Sequence, residues 1–181
     1  MVSAKQVADL ITGARAFLGL FLVWLGLSQG EAAFALVAWL MLADWIGDFL
    51  DGAFARRNKV IVHTWIGDHD LEIDMLVSFG LLIYLLSAGF IGWSLVVGYL
   101  LLWAVIIWRL GMQSSLGMLF QAPIYGLFIW KTFLLVPQAG WSIVIWLVLV
   151  IVVSWPRFPQ QVIPGFLDGI RESVRKENGK L

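Results

Sequence analysis

Apolar residues run along this chain in six long stretches separated by short polar or glycine-bearing breaks. The stretches are Ile11–Leu27, Ala32–Ala53, Leu71–Ser87, Ile91–Ile107, Leu116–Pro137 and Trp141–Ser154, each near the length a helix needs to cross a bilayer. Three of the breaks read as tight turns: Ser28–Glu31, Ala88–Phe90 and Gln138–Gly140. The pattern predicts an all-α integral membrane protein, a bundle of about six transmembrane helices with an interfacial amphipathic segment at each end. Val7, Leu10, Ile11 and Ala14 share a face at helical spacing near the start, and Phe166, Ile170 and Val174 oppose Arg171, Arg175 and Lys176 near the end. No polar linker separates two soluble units and no internal repeat is evident. The expected organisation is one transmembrane domain over 1–160 and a basic amphipathic tail over 161–181.

Composition agrees with lipid as the main solvent. The chain is 61% hydrophobic with a mean hydropathy of +0.89 and only 13% charged residues, where a soluble domain carries about a quarter. A formal net charge of zero argues against nucleic acid as a partner. The absence of cysteine excludes disulfides, thiolate metal sites and cysteine nucleophiles. Lys5 and Asp9 interrupt the first turns and no small-residue cleavage site follows, so the first run is read as a retained helix, not a signal peptide.

Basic residues set the orientation. Six spans with both termini cytoplasmic place eleven of the twelve Lys and Arg residues on one side, Lys131 being the exception toward the outer half of the fifth span. Trp93 and Trp141 then fall at outer ends, and Trp108 and Trp155 at inner ends, where amphipathic rings favour the headgroup layer. An aromatic cage is the alternative use for eleven tryptophans, but the rings scatter along many spans.

Seven of the twelve acidic residues lie between Asp44 and Asp74. Asp48 and Asp51 are three apart near the cytoplasmic end of the second run, and Asp70 and Asp74 are four apart at the start of the third. Such spacings put each pair on one helix face with Cβ atoms roughly 5–6 Å apart. Antiparallel neighbours bring the four carboxylates together at one membrane depth, where unpaired charge is costly. A cation resolves both that cost and their mutual repulsion, a divalent one best. All-oxygen donors imply Mg²⁺, Mn²⁺ or Ca²⁺, and two ions suit four carboxylates and displacement at phosphorus. Gly52 and Ala55 leave little bulk beside the pair, Arg56 offers a fork of donors to phosphate, and Gly67 lets the loop turn back into the third run.

The run Asp48-Phe-Leu-Asp51-Gly52-Ala-Phe-Ala55-Arg56, followed by Gly67, Asp70 and Asp74, resembles the CDP-alcohol phosphotransferase signature DxxDGxxAR…GxxxDxxxD. The first half and the final aspartate pair match at every defined position. The Arg56–Gly67 interval is longer than the family's, and Gly67 stands one position nearer Asp70. Asp9-Leu-Ile-Thr12-Gly-Ala-Arg15 looks like the family's lead-in to its first helix. The resemblance implies transfer of a phosphatidyl group from a CDP-linked lipid, CDP-diacylglycerol, to a small alcohol, first of all glycerol 3-phosphate, with release of CMP in phospholipid synthesis. It implies Asp48, Asp51, Asp70 and Asp74 as ligands of two divalent cations, Mg²⁺ or Mn²⁺, with Asp74 also the base for the acceptor hydroxyl. Asp48, Gly52, Ala55 and Arg56 would hold the nucleotide. A homodimer in a prokaryotic inner membrane, with the site at its cytoplasmic edge, completes the expectation.

Other polar residues have plainer readings. Asp44, a turn before Asp48, is expected to support the cluster. Asp68 and Glu72 have no place in the signature and read as loop charges, with Asp68 a minor rival ligand, and His63 and His69 read as loop residues. Arg109 is either a snorkelling residue or a site for an acceptor phosphate; Lys131 reads as snorkelling. Two competing functions remain: a cation-coupled transporter or channel, and a catalytically altered relative or scaffold.

Overall fold

The computed structural model describes the backbone of residues 4–57, 70–156, 158–162 and 164–169, with side chains over 12–50, 71–156, 159–161 and 164–169. The described residues are helical and include no strand. Among the described residues six long α-helices follow one another: α1 (Ala4–Ser28), α2 (Phe34–Arg57), α3 (Asp70–Ser87), α4 (Trp93–Leu110), α5 (Ser114–Leu135) and α6 (Pro137–Val153). A single 3₁₀ turn, Gly30–Ala33, joins the first two. Each helix covers one of the six apolar runs to within a few residues.

Among the described residues three segments are long and apolar enough to cross a membrane: Gly30–Leu50, which runs into α2, and the whole of α4 and α5. The Thr12–Ser28 part of α1 and all of α6 are apolar but shorter. Only 11% of α4 is buried inside the protein, and Leu101, Leu102 and Val105 stand more than half exposed. Ile145, Val148 and Val152 do the same on α6. Apolar surface on this scale suits a lipid environment.

The break between α5 and α6 differs from the sequence expectation. The turn falls at Val136, and Gln138, Ala139 and Gly140 belong to the first turn of α6. Proline explains the displacement. Val136 leaves the helical region at φ −136°, ψ 70°, as a residue before proline prefers, and Pro137 opens a helix without forfeiting a hydrogen bond. Gly140 is then needed for packing: a Cβ there would stand 3.1 Å from Phe133 Cα. At the other end of α4, Gly111 adopts φ 76° and donates its N–H to Ile107 at 2.8 Å, a helix stop that suits glycine. The N-terminal amphipathic segment is continuous with α1, not a separate surface helix. Residues 164–169 of the tail are helical, and the Ile170–Lys176 face lies outside the described residues.

The core sits where α1, α2, α3 and α5 meet. Leu22 and Leu25, Val37 and Met41, then Val77, Leu81, Tyr84 and Leu85, and Phe120, Ile124 and Phe128 are buried at helical spacing. α1 and α3 approach most closely. A Cβ on Gly19 would meet the Leu76 carbonyl oxygen at 2.9 Å, and one on Gly80 would run into the carbonyl of Gly19. One on Gly26 would lie 2.9 Å from Tyr84 Cα. Small residues at such a seam let two backbones touch, the usual way helices associate in lipid.

Candidate functional site

The α1–α3 seam carries Arg15, one turn before Gly19, to the first turns of α3. Arg15 is an arginine inside an apolar run, and such a residue finds a partner within the bundle. It finds three. Nε donates to Asp44 Oδ1 at 3.2 Å, one terminal nitrogen donates to Asp48 Oδ1 at 2.7 Å, and the other donates to Asp74 Oδ1. Asp44 and Asp48 are four apart on α2, so one helix face presents both, and Asp74 comes from the first turns of α3.

Burial grades across the cluster. The side chains of Arg15 and Asp44 are 7% and 1% exposed, that of Asp74 27% and that of Asp48 50%. The cluster therefore has a closed end at Asp44 and an open end at Asp48. Asp44 Oδ2 is fully buried and, among the described residues, is the one buried side-chain polar atom with no hydrogen-bond partner. Among the described residues, one guanidinium faces three carboxylates.

A cleft of about 330 Å³ adjoins the open end, lined by Trp45, Asp48, Phe49, Tyr125, Ile129 and Trp146, with Leu147 and Val150. Edge-to-face contacts between Trp45 and Tyr125 (5.4 Å) and between Phe49 and Trp146 (5.5 Å) brace it. Among the described residues Asp48 is the only charged one in its wall, and there the cleft is an apolar slot between α2, α5 and α6 with a carboxylate at its edge.

The expected site residues divide into those placed and those not described. Asp48 and Asp74, expected from two different helices, meet at one guanidinium. Asp51, Gly52, Ala55 and Arg56 continue α2 and Asp70 opens α3, but their side chains lie outside the described residues, as do Gly67, Asp68, His63 and His69 altogether. Glu72 is exposed. Arg109 is exposed in the last turn of α4. Lys131 lies 5.5 Å from the Phe90 ring centre, a cation–π contact beside the connection between α3 and α4.

Sequence reasoning passed over Arg15 as a site residue and gave Asp44 only a supporting part. The signal was present: a basic residue within α1's apolar run and an extra aspartate one turn before Asp48. Among the described residues no three His, Asp or Glu side chains form a group able to hold a metal ion, because the guanidinium stands between the carboxylates. The donor set still fits a hard divalent cation. It is all oxygen, it carries excess negative charge, and a buried carboxylate oxygen is orphaned. No protein-family model, no curated protein and no solved structure matches this chain.

Proposed function

We propose that this protein is a membrane-embedded, metal-dependent CDP-alcohol phosphatidyltransferase with six spans and its termini and site on the cytoplasmic side. It takes a CDP-linked lipid and a small alcohol, glycerol 3-phosphate first, and releases CMP. The observation that supports this best is the meeting of Asp48 and Asp74 beside an apolar slot. Carboxylates for phosphate chemistry and a place for lipid chain thus adjoin one another.

In this reading Asp48, Asp51, Asp70 and Asp74 hold a pair of Mg²⁺ or Mn²⁺ ions. The ions would supply charge neutralisation for the diphosphate and for the departing phosphate oxygen. Asp74, partly exposed, takes the proton of the acceptor hydroxyl. The acceptor oxygen forms a bond to the phosphatidyl phosphorus as the bond from that phosphorus to the bridging oxygen breaks, and CMP departs with the electron pair. Arg56 steadies the nucleotide phosphates, and Gly52 and Ala55 leave the nucleotide room. The slot between α2, α5 and α6 receives an acyl chain, so the lipid stays in the bilayer while the nucleotide meets water. A homodimer in a prokaryotic inner membrane completes the proposal.

Purified protein given CDP-diacylglycerol, Mg²⁺ or Mn²⁺ and a panel of alcohols should release CMP, and Asp70→Asn should abolish the release. Folded protein that releases no CMP with any acceptor would sink the proposal. The buried Arg15–aspartate network also favours a second reading, since charged clusters inside bundles mark ion pathways. Nucleotide-independent cation flux in liposomes, lost in Asp48→Asn, would establish that one instead.

A further inference from the structure

Arg15 and Asp44 stand outside the signature half that carries the ligands, yet they form the most buried part of the cluster. Their contact is one-pointed: Arg15 Nε reaches Asp44 Oδ1 at 3.2 Å, while both terminal nitrogens of Arg15 turn outward to Asp48 and Asp74. The second oxygen of Asp44 is left buried and without a partner. A guanidinium beside a carboxylate ordinarily closes a two-point fork, and here the fork is half made. Closing it takes a terminal nitrogen away from Asp48 or Asp74. The cluster therefore holds two competing arrangements for the same nitrogens, and the orphaned oxygen marks the arrangement not adopted.

We propose that Arg15 is a displaceable internal counter-ion, which holds Asp48 and Asp74 in metal-free protein and withdraws onto Asp44 when a divalent cation takes those two carboxylates. The proposal rests on the metal-site reading above. Charge makes the exchange plausible in both directions. Among the described residues one guanidinium meets three aspartates, so a divalent ion can join the cluster without expelling Arg15 from the bundle. The gradient of burial points the same way: the carboxylates surrendered to the metal are the two reachable from water, and the one that retains Arg15 is sealed. Arg15 and Asp44 are on this account positioning residues. Arg15 keeps the ligands gathered before metal arrives, and Asp44 gives the guanidinium somewhere to go.

The test is Mn²⁺ binding to purified full-length protein in detergent after chelation, read from the free-ion electron paramagnetic resonance signal. Arg15→Gln removes the competitor and should tighten Mn²⁺ about fivefold, the upper size of one partly screened charge contact. Asp44→Asn removes the retreat and should weaken Mn²⁺ by about the same factor. The double variant should return to the tight binding of Arg15→Gln, because Asp44 matters only while Arg15 is present. In chelator, Arg15→Gln should unfold at a lower temperature than the unaltered protein and recover more on adding Mn²⁺. Should Arg15→Gln not fold, Arg15→Lys carries the test: one ammonium cannot span three carboxylates, so Mn²⁺ should again tighten. If both single variants weaken Mn²⁺ and the double is weakest, the pair is a simple structural brace and the displacement idea is overturned. Unaltered protein that binds no Mn²⁺ even at millimolar concentration overturns the metal-site reading itself; protein that binds Mn²⁺ no less tightly than Arg15→Gln overturns only the displacement.

Discussion

Gly80 offers the sharpest test of the fold, because the same substitution elsewhere in the bundle has the opposite sign. A Cβ at Gly80 would collide with the Gly19 carbonyl and stand 3.0 Å from Gly19 Cα. The obstacle is backbone, so relief requires α1 and α3 to part. Overpacking of this kind costs about 3 kcal/mol at the upper end of its usual range, and alanine returns up to about 1 kcal/mol in helix propensity. Gly80→Ala should therefore lose about 2 kcal/mol. Gly98 in α4 has nothing within 4 Å of an added Cβ, so Gly98→Ala should be neutral or stabilising by up to about 1 kcal/mol. Titration of sodium dodecyl sulfate into detergent-solubilised protein, followed by tryptophan fluorescence, measures both. Parting the helices also draws Arg15, one turn from Gly19, away from Asp74, so Gly80→Ala should disturb Mn²⁺ binding where Gly98→Ala does not. Equal stability of the two variants would refute the close α1–α3 seam.

Tyr84 donates its hydroxyl to the Gly30 carbonyl at 3.1 Å, pinning α3 to the turn between α1 and α2; Tyr84→Phe should cost about 1 kcal/mol in the same titration. The lack of cysteine makes single-cysteine mapping clean. Under six spans, Gln29→Cys and Gln138→Cys should react with an impermeant maleimide on one membrane face, and Met112→Cys and Gln160→Cys on the other. Any mixed pair would break the topology. Trp146→Ala should widen the slot beside Asp48 and raise KM for the lipid donor while leaving Mn²⁺ affinity unchanged, whereas a loss of both would mean the aromatic wall supports the carboxylates themselves.

The helices were legible because hydropathy decides them: apolar runs of this length have few alternatives, and the observed bounds follow them closely. The α5–α6 boundary was misjudged by weighting Gly140 as a turn and Pro137 as a terminus. Proline at a helix start is as well formed as proline beyond a helix end, and only packing against Phe133 shows what Gly140 is for. Within the site, Asp48 and Asp74 could be paired from spacing alone, since each lies on a definable face of neighbouring helices. Arg15 could not be assigned in this way. Its role depends on how deeply α1 sinks against α3, and that depth is set by Gly19 and Gly80, whose meeting across sixty residues has no signature in local sequence.

Arg15 also changes what the basic residues say about topology. The proposed orientation counts it among the eleven cytoplasmic Lys and Arg residues, but a guanidinium with a 7% exposed side chain, paired to three aspartates, does not meet the headgroups. Its position reports partner chemistry within the bundle, not charge bias in a loop. Without it the proposed orientation still sorts ten of the remaining eleven basic residues onto one side, and rests on Lys5 in the first turn of α1, on Arg56 and Arg57 in the last turn of α2 and on Lys59 beyond it. Lys131 does not oppose that bias strongly, because its ammonium is engaged by the Phe90 ring. The sidedness therefore rests on connections and termini. Arg15 belongs to the chemistry, and its substitution should alter metal binding while leaving the maleimide pattern as it was.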